Sequence, residues 1–191
     1  MYPVLFRVGQ FEITSFGVLV AVAAVVAWHV FVRELRASGL PDKASDLAMH
    51  AIAGGFAGAK LLWVLEHLHE QPFVDLLFSR GGLSWFGGFL GGVGTGIALV
   101  LRNRLPLLPT LSAATPALAV GHLIGRIGCF LVGDDYGRPT NLPWAIAFPQ
   151  GLPPVFERVH PTQLYEAAFL ALLAWLLIGW RRRRLADAAV V

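Results

Sequence analysis

Four charged side chains lie inside or just beyond the end of one apolar run: Arg126, Asp134, Asp135 and Arg138, in Gly125-Arg126-Ile127-Gly128-Cys129-Phe130-Leu131-Val132-Gly133-Asp134-Asp135-Tyr136-Gly137-Arg138. Arg126 sits about two helical turns, roughly 10 Å at 1.5 Å per residue, before the run ends. An arginine at that depth in an apolar helix is costly unless it pairs with something or binds something. One reading is a structural ion pair with a carboxylate such as Asp134 or Glu66. The other is an anion grip, because a planar guanidinium fork suits phosphate better than an ammonium does. His122 lies four residues earlier, on the same helix face. It reads either as a hydrogen-bonded packing residue or as a proton acceptor.

Other candidates lie apart in the chain. Lys60 ends Gly54-Gly55-Phe56-Ala57-Gly58-Ala59-Lys60; it either snorkels outward or faces the bundle interior in an anion site with Arg126. His160-Pro161-Thr162-Gln163-Leu164-Tyr165-Glu166 reads as a helix start, with Thr162 as cap and Glu166 near the positive helix end. Capping does not account for His160, Tyr165 and Glu166 arriving together. Gly81-Gly82 and Gly87-Gly88-Phe89-Leu90-Gly91-Gly92 permit close approach by a helix or a ligand. They lack the Lys-Ser/Thr ending and the strand context of a nucleotide loop. The single cysteine, Cys129, excludes an internal disulfide and a cysteine-cage metal site. His67 and His69 point to different helix faces, and no other spacing resembles a metal site. Neither a metal nor a cofactor is expected.

The elements that must carry these groups follow from composition. Of 191 residues, 56% are hydrophobic and only 14% charged, and the mean hydropathy is +0.64. A soluble domain is nearer about a quarter charged. The class is therefore an integral membrane protein, expected as one transmembrane domain over residues 1–191. The formal charge of +3 does not point to nucleic acid, because the basic residues collect at helix ends. Five apolar runs are long enough, at roughly 17–25 residues, to cross the hydrocarbon core. They are Ser15–Val32, Leu47–Leu65, Leu83–Leu101, Leu111–Val132 and Gln163–Trp180. The runs are continuous rather than alternating, and each must satisfy its own backbone in lipid, so an all-α bundle is expected. Met1 to Gln10 has neither a basic n-region nor a small-residue cleavage site, so the first helix is expected to act as its own insertion signal.

Charge sets the expected orientation. Arg33, Arg36, Lys43, Arg102, Arg104 and Arg181 to Arg184 make nine basic residues on one side, against four on the other, Arg7, Arg80, Arg138 and Arg158. The positive-inside rule puts the nine in the cytoplasm, the N-terminus outside and the C-terminus inside. Lys60, the third-helix glycines, the Arg126 segment and His160 to Glu166 then converge at the outer leaflet. The loop from about 133 to 162 is also outside. Its Trp144, Phe148 and Phe156 suggest a membrane-skimming segment.

These motifs, taken together and in order, resemble the bacterial prolipoprotein diacylglyceryl transferase family. The resemblance rests on Gly81-Gly82-Leu83-Ser84-Trp85-Phe86-Gly87-Gly88, on Gly125-Arg126-Ile127-Gly128 through Gly137-Arg138, on Phe148-Pro149 and on His160 to Glu166. It covers nearly the whole chain. It implies transfer of a diacylglyceryl group from phosphatidylglycerol to the lipobox cysteine thiol in a prolipoprotein signal peptide, at the bacterial inner membrane, with release of glycerol phosphate. By the same resemblance Arg126 holds the phosphate, and Asp134 takes the place of the family's acidic residue. Lys60, Gly87, Gly88, Gly137, Arg138, Tyr165 and Glu166 would line the substrate. Phe86 stands where the family usually has a histidine given a base-like role, and Cys129 where an asparagine is common. Family members usually run on for two further helices, one with an essential arginine, whereas this sequence runs to Val191. The expected substitutes are His122 or His160 as base, and Lys60 or Arg138 as the second cation. The alternatives are a related phospholipid-using transferase with another acceptor, or a non-catalytic lipid-binding membrane protein.

Overall fold

Apolar runs that must close their own backbone hydrogen bonds become long helices. The computed structural model describes residues 4–9, 11–79 and 82–189. Arg80 and Gly81, and part of the Met1–Gln10 stretch, lie outside the described residues. The five long helices are α1 (Ser15–Ala37), α2 (Asp46–Glu66), α4 (Trp85–Arg102), α5 (Leu107–Val132) and α6 (Thr162–Ala189). All five are long and apolar enough to cross a membrane. A short helix, α3 (Phe73–Phe78), lies between α2 and α4.

The helix ends differ from the sequence expectation for local reasons. α1 continues past Val32 to Ala37, and α6 past Trp180 through the arginines. Nothing in those stretches breaks a helix, and Arg and Leu are good helix formers. α5 starts at Leu107 rather than Leu111 and takes Pro109 into its first turn. There the missing N–H of proline would have no partner in any case.

The expectation of an all-α chain is corrected by two small antiparallel hairpins. β1 (Val4–Val8) pairs with β2 (Phe11–Thr14), directly before α1. β3 (Ile146–Phe148) pairs with β4 (Val155–Val159), directly before α6. Phe148, expected in a membrane-skimming loop, is instead fully buried.

The chain forms two compact units. One comprises Met1–Val30 with Ala114–Val191, the other Phe31–Ala113. In the first, α1 and α5 approach where side chains are small: a Cβ on Gly121 would lie 3.2 Å from Ala27 Cβ, and one on Gly128 3.2 Å from the Phe16 ring. In the second, α2 and α4 meet along facing glycines. A Cβ on Gly58 would come within 2.9 Å of Gly91 Cα, a backbone atom that cannot rotate away. Close backbone approach of this kind is how helices gain dispersion contact where lipid tails remove the hydrophobic drive. Beside the seam Val64 on α2, Leu76 on α3 and Val100 on α4 are buried.

The seam is testable. Gly58→Val should force α2 and α4 apart and lower the melting temperature in detergent by several degrees, an overpacking cost of about 1–3 kcal/mol. Gly94→Ala in α4, where an added Cβ meets nothing within 4 Å, should leave it unchanged or slightly raised.

Candidate functional site

The site grows from the way α5 stops. Gly133 adopts φ +78°, and the N–H groups of Gly133 and Asp134 both donate to the Cys129 carbonyl, at 2.8 and 3.2 Å. This is a helix end closed by a left-handed glycine. Asp135 then also takes positive φ, +53°, a conformation that aspartate tolerates better than most residues. The reversal turns the Asp135 carboxylate back onto the helix it has just left.

Arg126 receives it. Its Nη1 donates to Asp135 Oδ2 at 2.9 Å, and its Nη2 donates to Glu166 Oε1 at 2.8 Å. The Arg126 side chain is 13% exposed, against 64% for Asp135 and 48% for Glu166. The cation is thus the buried member, and the carboxylates reach it from the rim. Removing such partners leaves an uncompensated charge, which is where most of a buried pair's energetic weight lies. The partners differ from those expected from sequence. Asp135 and Glu166 take the fork, rather than Asp134 or Glu66.

Cys129 borders the same group: Arg126 Nη1 lies 3.7 Å from its Sγ, and Sγ lies 3.9 Å from Asp135 Oδ2. Cys129 Sγ and one oxygen each of Asp134 and Asp135 fall within 4.8 Å of one another, a spacing that would suit a cation. Arg126 already supplies a positive charge there. The carboxyl of Asp134 is held above the usual aspartate range, chiefly by burial and then by the charge of Asp135.

The first turn of α6 is pinned to this turn by polar contacts. Thr162 Oγ1 donates to the Asp135 carbonyl at 2.6 Å, and Gln163 Nε2 donates to the Asp134 carbonyl. Thr162 therefore ties α6 to the α5 turn instead of capping its own helix. The strand-like segment 137–140 adds to β4: Gly137 N–H donates to His160 O, His160 N–H to Arg138 O, and Thr140 N–H to Arg158 O, at 2.9–3.1 Å. Gly137 is required by closeness. A Cβ there would lie 2.8 Å from Thr162 Cγ2 and 3.0 Å from His160 Cβ. Arg158 holds the preceding loop by donating to the carbonyls of Pro143 and Ala145. Tyr136 stacks on Phe148 and donates to Pro153 O.

His160 belongs to a short polar chain. Trp144 Nε1 donates to Tyr165 Oη at 2.7 Å, and His160 Nδ1 lies 3.1 Å from the same oxygen. The indole can only donate, so Tyr165 Oη accepts from Trp144 and keeps both a proton to give Nδ1 and a second lone pair to accept from it. Tyr165 thus fixes the ring through Nδ1 and leaves Nε2 facing away from this chain of contacts.

The guanidinium held by two rim carboxylates and the chain of Trp144, Tyr165 and His160 belong to a sequence with many relatives among known proteins. The chain belongs to the prolipoprotein diacylglyceryl transferase family. The family's model matches residues 3–191. A phosphatidylglycerol–prolipoprotein diacylglyceryl transferase from Geobacter sulfurreducens is 32% identical over 99% of this chain and 74% of its own length. The protein of the same name from Synechococcus elongatus is 31% identical, over 99% of this chain and 70% of its own. With its five apolar helices the chain is a multi-pass membrane protein.

The first compact unit brings together Arg126, Asp134, Gly137, His160, Tyr165 and Glu166. Arg138 contributes its backbone to the β4 pairing while its side chain is exposed. His122 is exposed on α5, and none of the contacts described above reaches it. In the second unit, Lys60 Nζ donates to Ser79 O and Oγ, both at 3.0 Å, and lies 4.5 Å from the Trp63 ring centre. It therefore closes the end of α3. Gly87 and Gly88 belong to the α2–α4 seam, and Phe86 is 67% exposed against the edge of Trp85. Sequence reasoning missed Asp135 as the arginine's partner, Trp144 as support for Tyr165, and Gln163. Only Gln163 left a signal, its place in the His160–Glu166 block.

Tyr165→Phe should release His160 Nδ1. The nitrogen-15 chemical shifts of the His160 imidazole should move toward a mixture of tautomers, whereas an unchanged spectrum would separate His160 from Tyr165 and Trp144.

Proposed function

We propose that this chain transfers the diacylglyceryl group of phosphatidylglycerol to the lipobox cysteine of a prolipoprotein signal peptide, with Arg126 holding the donor's phosphate. The observation that carries this reading is the Arg126 fork, deep in an apolar helix and already gripping two carboxylate oxygens at 2.8 and 2.9 Å. A site that holds carboxylates in this geometry suits phosphate oxygens. In the reaction the acceptor sulfur forms a bond to the glycerol carbon, and the bond from that carbon to the phosphate oxygen breaks. The electron pair leaves with glycerol phosphate. A preorganised guanidinium stabilises the charge that gathers on that oxygen.

Two anions cannot share the fork with a phosphate without repulsion. Donor binding therefore displaces Asp135, the more exposed carboxylate, from Arg126. His160 takes the acceptor thiol's proton on Nε2, in the tautomer whose Nδ1–H donates to Tyr165 Oη, with Tyr165 and Trp144 orienting its ring. His122, exposed on the same helix as Arg126, is the second candidate for that step. Asp134 supports the turn and the site's polarity. Gly137, Arg138, Tyr165 and Glu166 complete the substrate surface within the first unit, whereas Lys60, Gly87 and Gly88 serve the packing of the second. The positive-inside count orients the chain with its N-terminus outside and its C-terminus in the cytoplasm. The site then opens to the outer leaflet of the bacterial inner membrane, where exported signal peptides arrive.

Arg126→Ala should reduce transfer of labelled diacylglycerol to a lipobox peptide by about 100-fold or more, the scale of losing one preorganised electrostatic contact. Arg126→Lys should recover only part of it, because the fork is lost. Near-normal transfer by the alanine variant would remove Arg126 from this role. Asp135→Asn should lower the KM for the anionic donor severalfold, by about the weight of one exposed ion pair. A raised KM would instead make Asp135 part of the donor site.

A further inference from the structure

Buried polar atoms without partners gather at one place in the first unit. Arg126 Nε, Asp134 Oδ1 and Gln163 Oε1 are all buried and have no hydrogen-bond partner among the described residues. The three residues are linked through contacts already described. Gln163 Nε2 donates to the Asp134 carbonyl, the Asp134 carboxylate borders Cys129 Sγ, and Arg126 Nη1 reaches the same sulfur. Gln163 is 0% exposed. Its amide nitrogen is used, and its oxygen is not.

Native proteins seldom leave such atoms unmatched, and each one calls for a physical reason. The Nε2 donation to the Asp134 carbonyl accounts for an amide at position 163, and it leaves the idle Oε1 unexplained. The pattern of atoms is informative. Two acceptors, Gln163 Oε1 and Asp134 Oδ1, belong to residues linked by these contacts to a guanidinium whose Nε–H is an idle donor. Their complement is a group with two hydroxyl donors attached to an anionic oxygen. The phosphate ester of a polyol has that pattern. The phosphate ester of a simple alcohol has the anion and lacks the donors.

We propose that Gln163 and Asp134 read the hydroxyls of the donor's glycerol headgroup while Arg126 holds its phosphate, so that Gln163 is a specificity-determining residue. The proposal rests on the donor reading given above and extends it from the phosphate to the headgroup. A site built to hydrogen-bond a hydroxyl rejects the analogue that lacks it, because the site's own buried groups are then left unpaired. This gives Gln163 two separable duties. Nε2 ties α6 to the α5 turn, and Oε1 faces the headgroup.

The test compares phosphatidylglycerol with phosphatidylpropanol, which has the same acyl chains and charge but no headgroup hydroxyl. Both are presented to the full chain in lipid nanodiscs, and both equilibrium binding and transfer to a lipobox peptide are measured. The unaltered protein should favour phosphatidylglycerol by about tenfold or more, the scale of one lost hydrogen bond to a charged or buried partner. In Gln163→Met that preference should collapse to within about threefold. A structural duty alone, or an ordered water satisfying the three atoms, predicts equal losses on both lipids with the preference kept. That outcome overturns the proposal, as does an unaltered protein that treats the two lipids alike. Melting curves show whether the variant is folded; if it is not, the comparison in the unaltered protein decides. Discrimination in binding with no transfer from either lipid would sink the transferase reading and leave the headgroup reading standing.

Discussion

A single charge that cannot be left alone in an apolar helix governs the first unit. Arg126 is only 13% exposed. An isolated cation at that place would be expensive, so the surrounding chain must deliver anions to it. It delivers two, both from later in the sequence. Asp135 comes from the turn that follows the arginine's own helix, and Glu166 from the first part of α6, forty residues further on. Neither carboxylate is buried, so neither carries a large desolvation cost. The result is a cation whose partners stand at the exposed rim, the arrangement that the proposed exchange for a donor phosphate needs.

That exchange depends on how firmly the backbone around the site is held. The left-handed Gly133, the positive φ of Asp135 and the close packing of Gly137 on Thr162 and His160 all shape one turn. The side chains of Thr162 and Gln163 fasten α6 to that turn through main-chain oxygens. The hairpin of β3 and β4 closes the intervening loop, with Phe148 buried beneath Tyr136. Rigid backbone with replaceable side-chain partners is the arrangement that preorganises a charge for a reacting anion. The second unit shows a different use of similar residues. Its glycines let α2 and α4 touch, and its buried-side lysine, Lys60, closes a short helix through Ser79. A motif of small residues followed by a cation is thus spent on packing there.

The sequence alone determined the membrane class, the five helices (with α1 and α6 running on past their expected ends, α6 from Trp180 to Ala189), and the family, because these depend on continuous hydrophobicity and on ordered motifs that survive without three-dimensional context. It also singled out Arg126, His160, Tyr165 and Glu166, since ionisable groups at the margin of an apolar run are conspicuous. Only the tertiary structure decided which carboxylates Arg126 holds. Asp134 and Asp135 are adjacent and equivalent in sequence, and the backbone twist at Gly133 and Asp135 sends one to the arginine and leaves the other half-buried beside Cys129. Only the tertiary structure turned Thr162 from a helix cap into a tether, and joined Trp144 to His160 through Tyr165 across a loop. The two hairpins escaped the sequence reading because their strands are three to five residues long, too short for alternation to register. Periodicity is a local property and can be read along the chain. The partner of a buried charge is set by where a turn aims a side chain, and that exists only once the chain has folded.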